Sequence, residues 1–473
     1  MLKKGLEKRE AGVKKIWEKR YKIVIVLSFF LFSLQALFFA LNIKEYLPPD
    51  ERYHVILSQE YSHTLSKPLN SENTYTIGQI EDTPFLYHWI SGRVLNVKDF
   101  LFKEVEDLFV LRFFSVVVSL VNLLVAYKII KLFTKDKLVQ TLFIIMLCNT
   151  LMFAFISASA NYDPLTILFA LLSIYWSIEL LRKRSIKNLL LLLIFLLLGM
   201  LTKISFPPFA LIVLLFFFFN EIGHVKEYLV EIKELWKRKE KRPLFLFLSL
   251  PFFLLVVLAS SLYATNFIKY KSMTPECTQV MDFEDCMKSA EYSFHYNMAE
   301  EGLSTEERIS LYWYIPHWIY NMVETNYGIL AHSKLNLSYT RFLLYFVVMV
   351  ASVVLFVRKL KLKNKTHIFL CFLAISYSLV LLFLLNYPTY LSSGIIHSGV
   401  QGRYVFPVIV PIYAFASWSL LSIKNRYVRL IIFLLVSVIF VLGNIPFFLR
   451  NVTEEWFILD SLGANIIRSI GVL

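Results

Sequence analysis

Apolar residues run along the chain in blocks of helical length, separated by polar stretches rather than interleaved with them. Eleven blocks stand out, at residues 23–41, 109–127, 138–158, 164–181, 188–201, 207–220, 244–263, 339–357, 366–385, 404–421 and 428–446. A helix needs about 20 apolar residues to cross a bilayer, whereas a soluble helix carries a single apolar stripe. The pattern therefore predicts an all-α polytopic membrane protein with about 11 transmembrane helices. The block at 23–41 is too long for the apolar core of a cleaved signal, and no small-residue cleavage site follows it. It reads as an uncleaved first span. The blocks at 188–201 and 207–220 form a tight hairpin across "LTKISFPP", where Pro207 and Pro208 start the return helix.

Two polar segments are much longer than the rest, 42–108 and 264–338. In the first, Tyr53, Ile56, Leu57, Tyr61 and Leu65 recur at helical spacing behind Pro48 and Pro49. This predicts a helix from about Asp50 to Leu65 lying along the membrane surface. The segment "EIGHVKEYLVEIKELWKRKEKR" is amphipathic and is expected on the inner surface. The organisation is then a basic tail (1–22), a transmembrane domain (23–446) with two large loops carrying surface helices, and a tail (447–473).

Charge sets the orientation. The net charge is +14, and most of the 49 basic residues fall in 1–22, 128–137, 182–187, 221–243, 358–365 and 424–429. With eleven spans, all these segments lie on one side, and basic loops stay cytoplasmic. The N-terminus is then cytoplasmic, and both large loops and the tail face outward across the plasma membrane. The positive charge is accounted for by topology and membrane lipids, and no nucleic-acid partner is needed. Cys148 and Cys371 read as small hydrophobes inside apolar runs. Cys277 and Cys286, in the second loop, can pair if that loop meets an oxidising compartment. The sequons at Asn336 and Asn451 fall outside and that at Asn364 inside, so all three read as chance.

The candidate chemistry gathers at the outer ends of the blocks. "YLPPDERYH" sets Asp50 and Glu51 at a helix start with His54 one turn on. One acid there is a helix cap; two acids and a histidine exceed what a cap needs. A carboxylate near the bilayer can take a proton from an attacking hydroxyl or hold a metal. "IEDTPFLYHWISGRV" adds Glu81, Asp82 and Tyr87, with aromatics that suit an interfacial belt or a sugar-stacking wall. "SANYDPLT" brings Asn161 and Asp163 to the same depth; a turn signal alone would also explain them. Lys203 breaks the inside bias of the basic residues and can be weighed as a phosphate ligand against a snorkelling anchor. In "HSGVQGRYVFP", Arg403 enters the membrane edge beside Gln401 and Tyr404, where a guanidinium needs an anion.

The segments "PPDERYH", "DTPFLYHWI", "LRFFSVVVSLV", "SANYDPL", "LTKISFPPFAL" and "GVQGRYVFP" occur in the order of the blocks of a bacterial membrane-protein family, "domain of unknown function 2142". The chain resembles that family from about residue 48 to about 411, and through it the GT-C glycosyltransferases. Val55 after His54, and Pro84 without a second proline, depart from the family pattern. The resemblance implies a GT-C-like fold with a catalytic acid in the first outer loop. It implies a polyprenyl-phosphate-linked sugar donor and transfer on the outer face, usually with inversion. The acceptor would be a cell-surface glycan or a lipid-linked acceptor, and the enzyme a hexosyl- or pentosyltransferase. In this reading Asp50 and Glu51 are catalytic. His54, Glu81, Asp82, Tyr87, Asn161, Asp163, Lys203, Gln401, Arg403 and Tyr404 bind substrate. A divalent cation, Mg or Mn, would sit on Asp50 and Glu51 if one is used. The alternatives are a transporter or flippase of lipid-linked saccharides without transferase chemistry, and a non-catalytic membrane scaffold. A transporter would be expected to show charges at the midplane of its spans.

Overall fold

The structure is a computed structural model that describes residues 2–238, 240, 242–303, 308–359, 364–397 and 399–470. The basic runs 221–243 and 358–365 and the C-terminal tail lie partly outside the described residues. Nine helices among those described are long and apolar enough to cross a membrane, and two shorter apolar helices, Lys137–Cys148 and Ile186–Met200, accompany them. Together they coincide with the eleven apolar blocks. The chain is an all-α multi-pass membrane protein, and a two-residue antiparallel pair, Ile329–Leu330 with Lys334–Leu335, is a local clasp in the second loop. Phe30, Phe113, Phe219, Phe247 and Leu250 are exposed on the outside of the bundle, as a lipid-facing belt requires.

Three departures from the apolar pattern bear on the ends of the spans. The first helix runs unbroken from Leu2 to Asn42, so the basic tail continues the first span rather than preceding it. The block at 138–158 breaks after Cys148 and resumes as Leu151–Ile156. There Asn149 and Thr150 turn their side chains back onto the carbonyls of Ile145 (2.8 Å) and Met146 (2.9 Å). Asn149 also accepts from Asn444 at 3.3 Å. Side chains that bond the backbone in this way compete with helix continuation. The last block ends at Leu442 and restarts at Ile445.

The first-loop helix spans Glu51–Ser62, three residues short of Leu65. It packs against Leu86–Leu101 so closely that a Cβ on Gly92 would lie 2.8 Å from the Ser62 nitrogen. Below it, Asp107–Phe133 packs on Asp163–Arg182, which packs on Ile186–Met200. The second loop folds as short helices, including Cys277–Val280 and Ala290–Leu303, and ends in Leu311–Tyr327. Its two cysteines, Cys277 and Cys286, form a disulfide. A wider helical stretch at Leu381–Asn386 turns Asn386 toward both the Gly399 carbonyl (2.8 Å) and Trp318 (2.8 Å). This fixes the segment that carries Arg403.

Candidate functional site

Four charged residues from four separate segments meet at one end of the bundle. Asp50 precedes the first-loop helix with φ 59°, a left-handed conformation that aspartate tolerates better than most residues. Asp163 opens the helix after the "SANYD" turn. Lys203 sits in the hairpin between Ile186–Met200 and Pro207–Glu221. Arg403 lies in a short 3₁₀ turn, Gly402–Val408. Gly402 brings its backbone against Asn326, where a Cβ would lie only 2.5 Å from the Asn326 nitrogen.

Arg403 donates to Asp50 at 3.0 Å and to Asp163 at 3.2 Å, and its Nε donates to Gln401. Lys203 pairs with the other Asp163 oxygen. The ammonium also lies over the rings of Tyr162 (4.4 Å) and Tyr404 (5.3 Å). Asn161 holds the two acids in register: it donates to the Pro49 carbonyl at 2.9 Å and accepts from the Asp163 nitrogen at 2.8 Å. The side chain of Asp50 is 31% exposed, whereas those of Arg403 and Asp163 are only 3% and 6% exposed. Asp50 is therefore the accessible end of a buried, charge-balanced network. Burial alone would raise its pKa, but Arg403, its hydrogen bond and Lys203 together hold the carboxyl below its usual range. Burial lowers the pKa of Lys203, with Asp163 opposing.

A cavity of about 310 Å³ opens at this network, with Asp50, His54, His88, Lys203, Glu291 and Tyr292 in its wall. Glu291 comes from the second loop and reaches solvent through the cavity. The residue is exposed, yet the protein around its carboxyl and the facing Asp50 push that carboxyl up to about 7, with Arg403 opposing.

Glu51 points elsewhere. It is fully buried against Arg112, which donates Nε to one oxygen (2.9 Å) and an amino group to the other (2.7 Å). The Ala160 nitrogen (2.9 Å) and the Tyr46 nitrogen (3.1 Å) complete its acceptor sites. A carboxylate has about four such sites, so Glu51 has none left for a hydroxyl or a metal. This geometry gives it a positioning place, in contrast to the catalytic and metal-binding expectation. Among the described residues no three His, Cys, Asp or Glu side chains gather to hold a metal ion.

The other expected residues divide. His54, in the cavity wall, touches Tyr87 and Tyr162 in edge contacts, so Tyr87 supports the wall from behind. Glu81 and Asp82 are not brought to the cavity wall. Asp82 accepts from Asn70 at 3.3 Å, and its carbonyl accepts from Asn266 at 2.9 Å, which ties the loop to the Arg242–Tyr270 helix. Three further residues, Arg112, His88 and Glu291, belong to the site or its support. Arg112 could have been found, since an arginine inside an apolar block needs a partner. His88 lay inside a quoted block, masked by its aromatic neighbours. Glu291 is one acid in a polar loop and carries no sequence signal.

A family model described as dolichyl-phosphate-mannose-protein mannosyltransferase matches residues 82–232. No curated protein sequence matches the chain. Among solved structures, the archaeal oligosaccharyltransferase AglB from Archaeoglobus fulgidus, in complex with an inhibitory peptide and a dolichol-phosphate, is similar with a TM-score of 0.50 at 12% identity. That similarity covers 92% of this chain and 55% of AglB. ArnT from Cupriavidus metallidurans bound to undecaprenyl phosphate gives a TM-score of 0.47 at 12% identity, over 87% of this chain and 61% of ArnT. The chain thus spans 55–61% of the length of these two proteins. The likeness to AglB establishes a GT-C-like fold.

Proposed function

We propose that the chain is a membrane glycosyltransferase that moves a sugar from a polyprenyl-phosphate-linked donor to a glycan or lipid-linked acceptor. The observation that carries this reading is the pairing of an accessible carboxylate, Asp50, with a buried arginine, Arg403, at a cavity where the spans end. The GT-C-like fold and the mannosyltransferase model over 82–232 support it. So does the dolichol-phosphate named for AglB. The narrower assignment to domain of unknown function 2142 rests on the quoted blocks and belongs to the same reading.

In the proposed reaction the donor phosphate is held by Arg403 and Lys203. The acceptor hydroxyl attacks the anomeric carbon opposite the phosphate, and its proton passes to the Asp50 carboxylate. The bond from the anomeric carbon to the phosphate oxygen breaks, and its electron pair leaves with the phosphate. The configuration inverts. Cations fixed in a buried site stabilise charge as it develops on the leaving oxygen. Asp163 holds both cations in place. The basic runs at the opposite ends of the spans support an outer-face location for this cavity, and the Cys277–Cys286 disulfide fits an oxidising exterior.

The deciding experiment is sugar transfer in membranes or nanodiscs from undecaprenyl-phosphate-linked glucose, galactose and arabinose, comparing wild type with Asp50→Asn. Transfer by wild type and its loss in the variant support the reading; unchanged transfer in the variant sinks the base assignment. A transporter or flippase would instead move lipid-linked sugar across vesicles without cleaving it.

A further inference from the structure

His54 and His88 form a pair that the proposed chemistry leaves unused. His54 comes from the Glu51–Ser62 helix and His88 from Leu86–Leu101. His54 Nδ1 and His88 Nε2 share a hydrogen bond of 2.9 Å, and the rings lie edge to edge within 23° of coplanar, centroids 5.2 Å apart. The residues are 0% and 2% exposed, and both contribute to the cavity wall. Their remaining nitrogens, His54 Nε2 and His88 Nδ1, are buried and find no hydrogen-bond partner in the structure. Burial without a partner is costly for such groups. Edge contacts from Tyr53 to both rings, at 5.3 Å and 5.7 Å, and from Tyr162 to His54, at 4.3 Å, keep the rings from swinging to find one.

The hydrogen count of this pair is fixed. Burial, with Lys203 and Arg403 nearby, keeps His54 neutral, and burial beside His54 keeps His88 neutral. Two neutral imidazoles carry two N–H hydrogens, and one of them lies in the shared bond. If His54 donates that bond, its Nε2 is a bare acceptor and His88 Nδ1 carries the second hydrogen. If His88 donates, the roles reverse. In either tautomer the pair offers one donor and one acceptor.

We propose that the His54–His88 pair reads the donor sugar, its two free nitrogens hydrogen-bonding neutral hydroxyl groups of the sugar ring. This rests on the transferase reading above. Position favours the sugar over the lipid phosphate. Lys203, part of the phosphate clamp, stands on Tyr162, and the same ring meets His54 edge-on at 4.3 Å. A sugar one bond from the phosphate therefore lies next to the pair. A hydroxyl both donates and accepts, so it suits either tautomer. An ammonium-bearing sugar would bring a third cation beside Lys203 and Arg403 and is disfavoured.

The test uses the full-length protein in nanodiscs, the lipid-linked sugar that the wild type turns over in the assay above, and bare undecaprenyl phosphate as control. His88→Leu should raise KM for the sugar-linked donor about 10-fold, the size of one lost hydrogen bond. It should leave affinity for bare undecaprenyl phosphate unchanged, and His88→Asn should recover part of the loss. Imidazole ¹⁵N NMR of wild type gives a readout that no variant has to survive. The sugar-linked donor should shift His54 Nε2 and His88 Nδ1, and bare undecaprenyl phosphate should not. Equal shifts with bare lipid, or an unchanged KM in His88→Leu, overturn the inference while leaving the transferase reading intact. If wild type transfers no sugar at all, the transferase reading itself falls and this inference with it.

Discussion

The Asp50 carboxylate lies 3.0 Å from the guanidinium of Arg403, a residue 353 positions later in the chain. The proposed base and the proposed phosphate ligand thus neutralise each other. A donor phosphate that takes up Arg403 must loosen this contact, and the freed carboxylate becomes more basic because it loses the cation that depressed its pKa. Donor binding and activation of the base are then one event.

Asp50→Asn should lower sugar transfer by about 10²-fold or more, the usual scale for losing a general base. Because it also removes the carboxylate that competes for Arg403, affinity for undecaprenyl phosphate should hold or rise. Weaker lipid binding in this variant, measured by titration in nanodiscs, would contradict the exchange.

Arg403→Ala should weaken undecaprenyl-phosphate binding and transfer together, and Arg403→Lys should rescue neither. A single ammonium cannot reach Asp50, Asp163 and Gln401 at once as the guanidinium fork does. Binding as tight as wild type in Arg403→Ala would end the clamp assignment.

Glu291 is expected to give a pH dependence of stability, reduced by its exposure to solvent. Its carboxyl rises from 4.5 to about 7 on folding, so the folded state holds a proton that the unfolded state releases. The group contributes no penalty below pH 4.5, and stability falls as pH rises from there through about 7. Glu291→Gln should flatten that part of the thermal-unfolding profile. The same slope in wild type and variant would show that Glu291 is not its source.

Glu51→Ala should destabilise the protein by about 3–5 kcal/mol, because it strands the buried Arg112 without its counter-charge. Glu51→Leu combined with Arg112→Met should recover much of that loss. Recovery of folded protein in detergent, followed by melting, separates the two outcomes. A Glu51→Ala protein as stable as wild type would show that the pair does not hold the loop.

The eleven apolar blocks were legible because length and lack of charge alone specify a span. Asp50, Asp163, Lys203 and Arg403 were legible for the complementary reason: charges at span ends are costly and must be matched. Adjacency to Asp50 in sequence suggests a shared task for Glu51. The left-handed turn at Asp50 instead leaves one acid at the cavity and the other in the bundle. Glu291 and the partnership of His88 with His54 were hidden, since both depend on which loop folds over which helix. The break at Asn149 could not be read from hydropathy, as it arises from side chains bonding back to the backbone.

Arg112 does more than pair with Glu51. It also donates to the carbonyls of Ala40 (3.1 Å) and Ile43 (2.8 Å), at the end of the first helix. An arginine in an apolar helix is costly to leave in lipid until it meets these acceptors. The first span, the loop helix behind it and the second span therefore cannot be handed to the bilayer one at a time. Glu51 is made before Arg112, so the first span and the loop helix are expected to stay within reach until the second span brings the arginine to them.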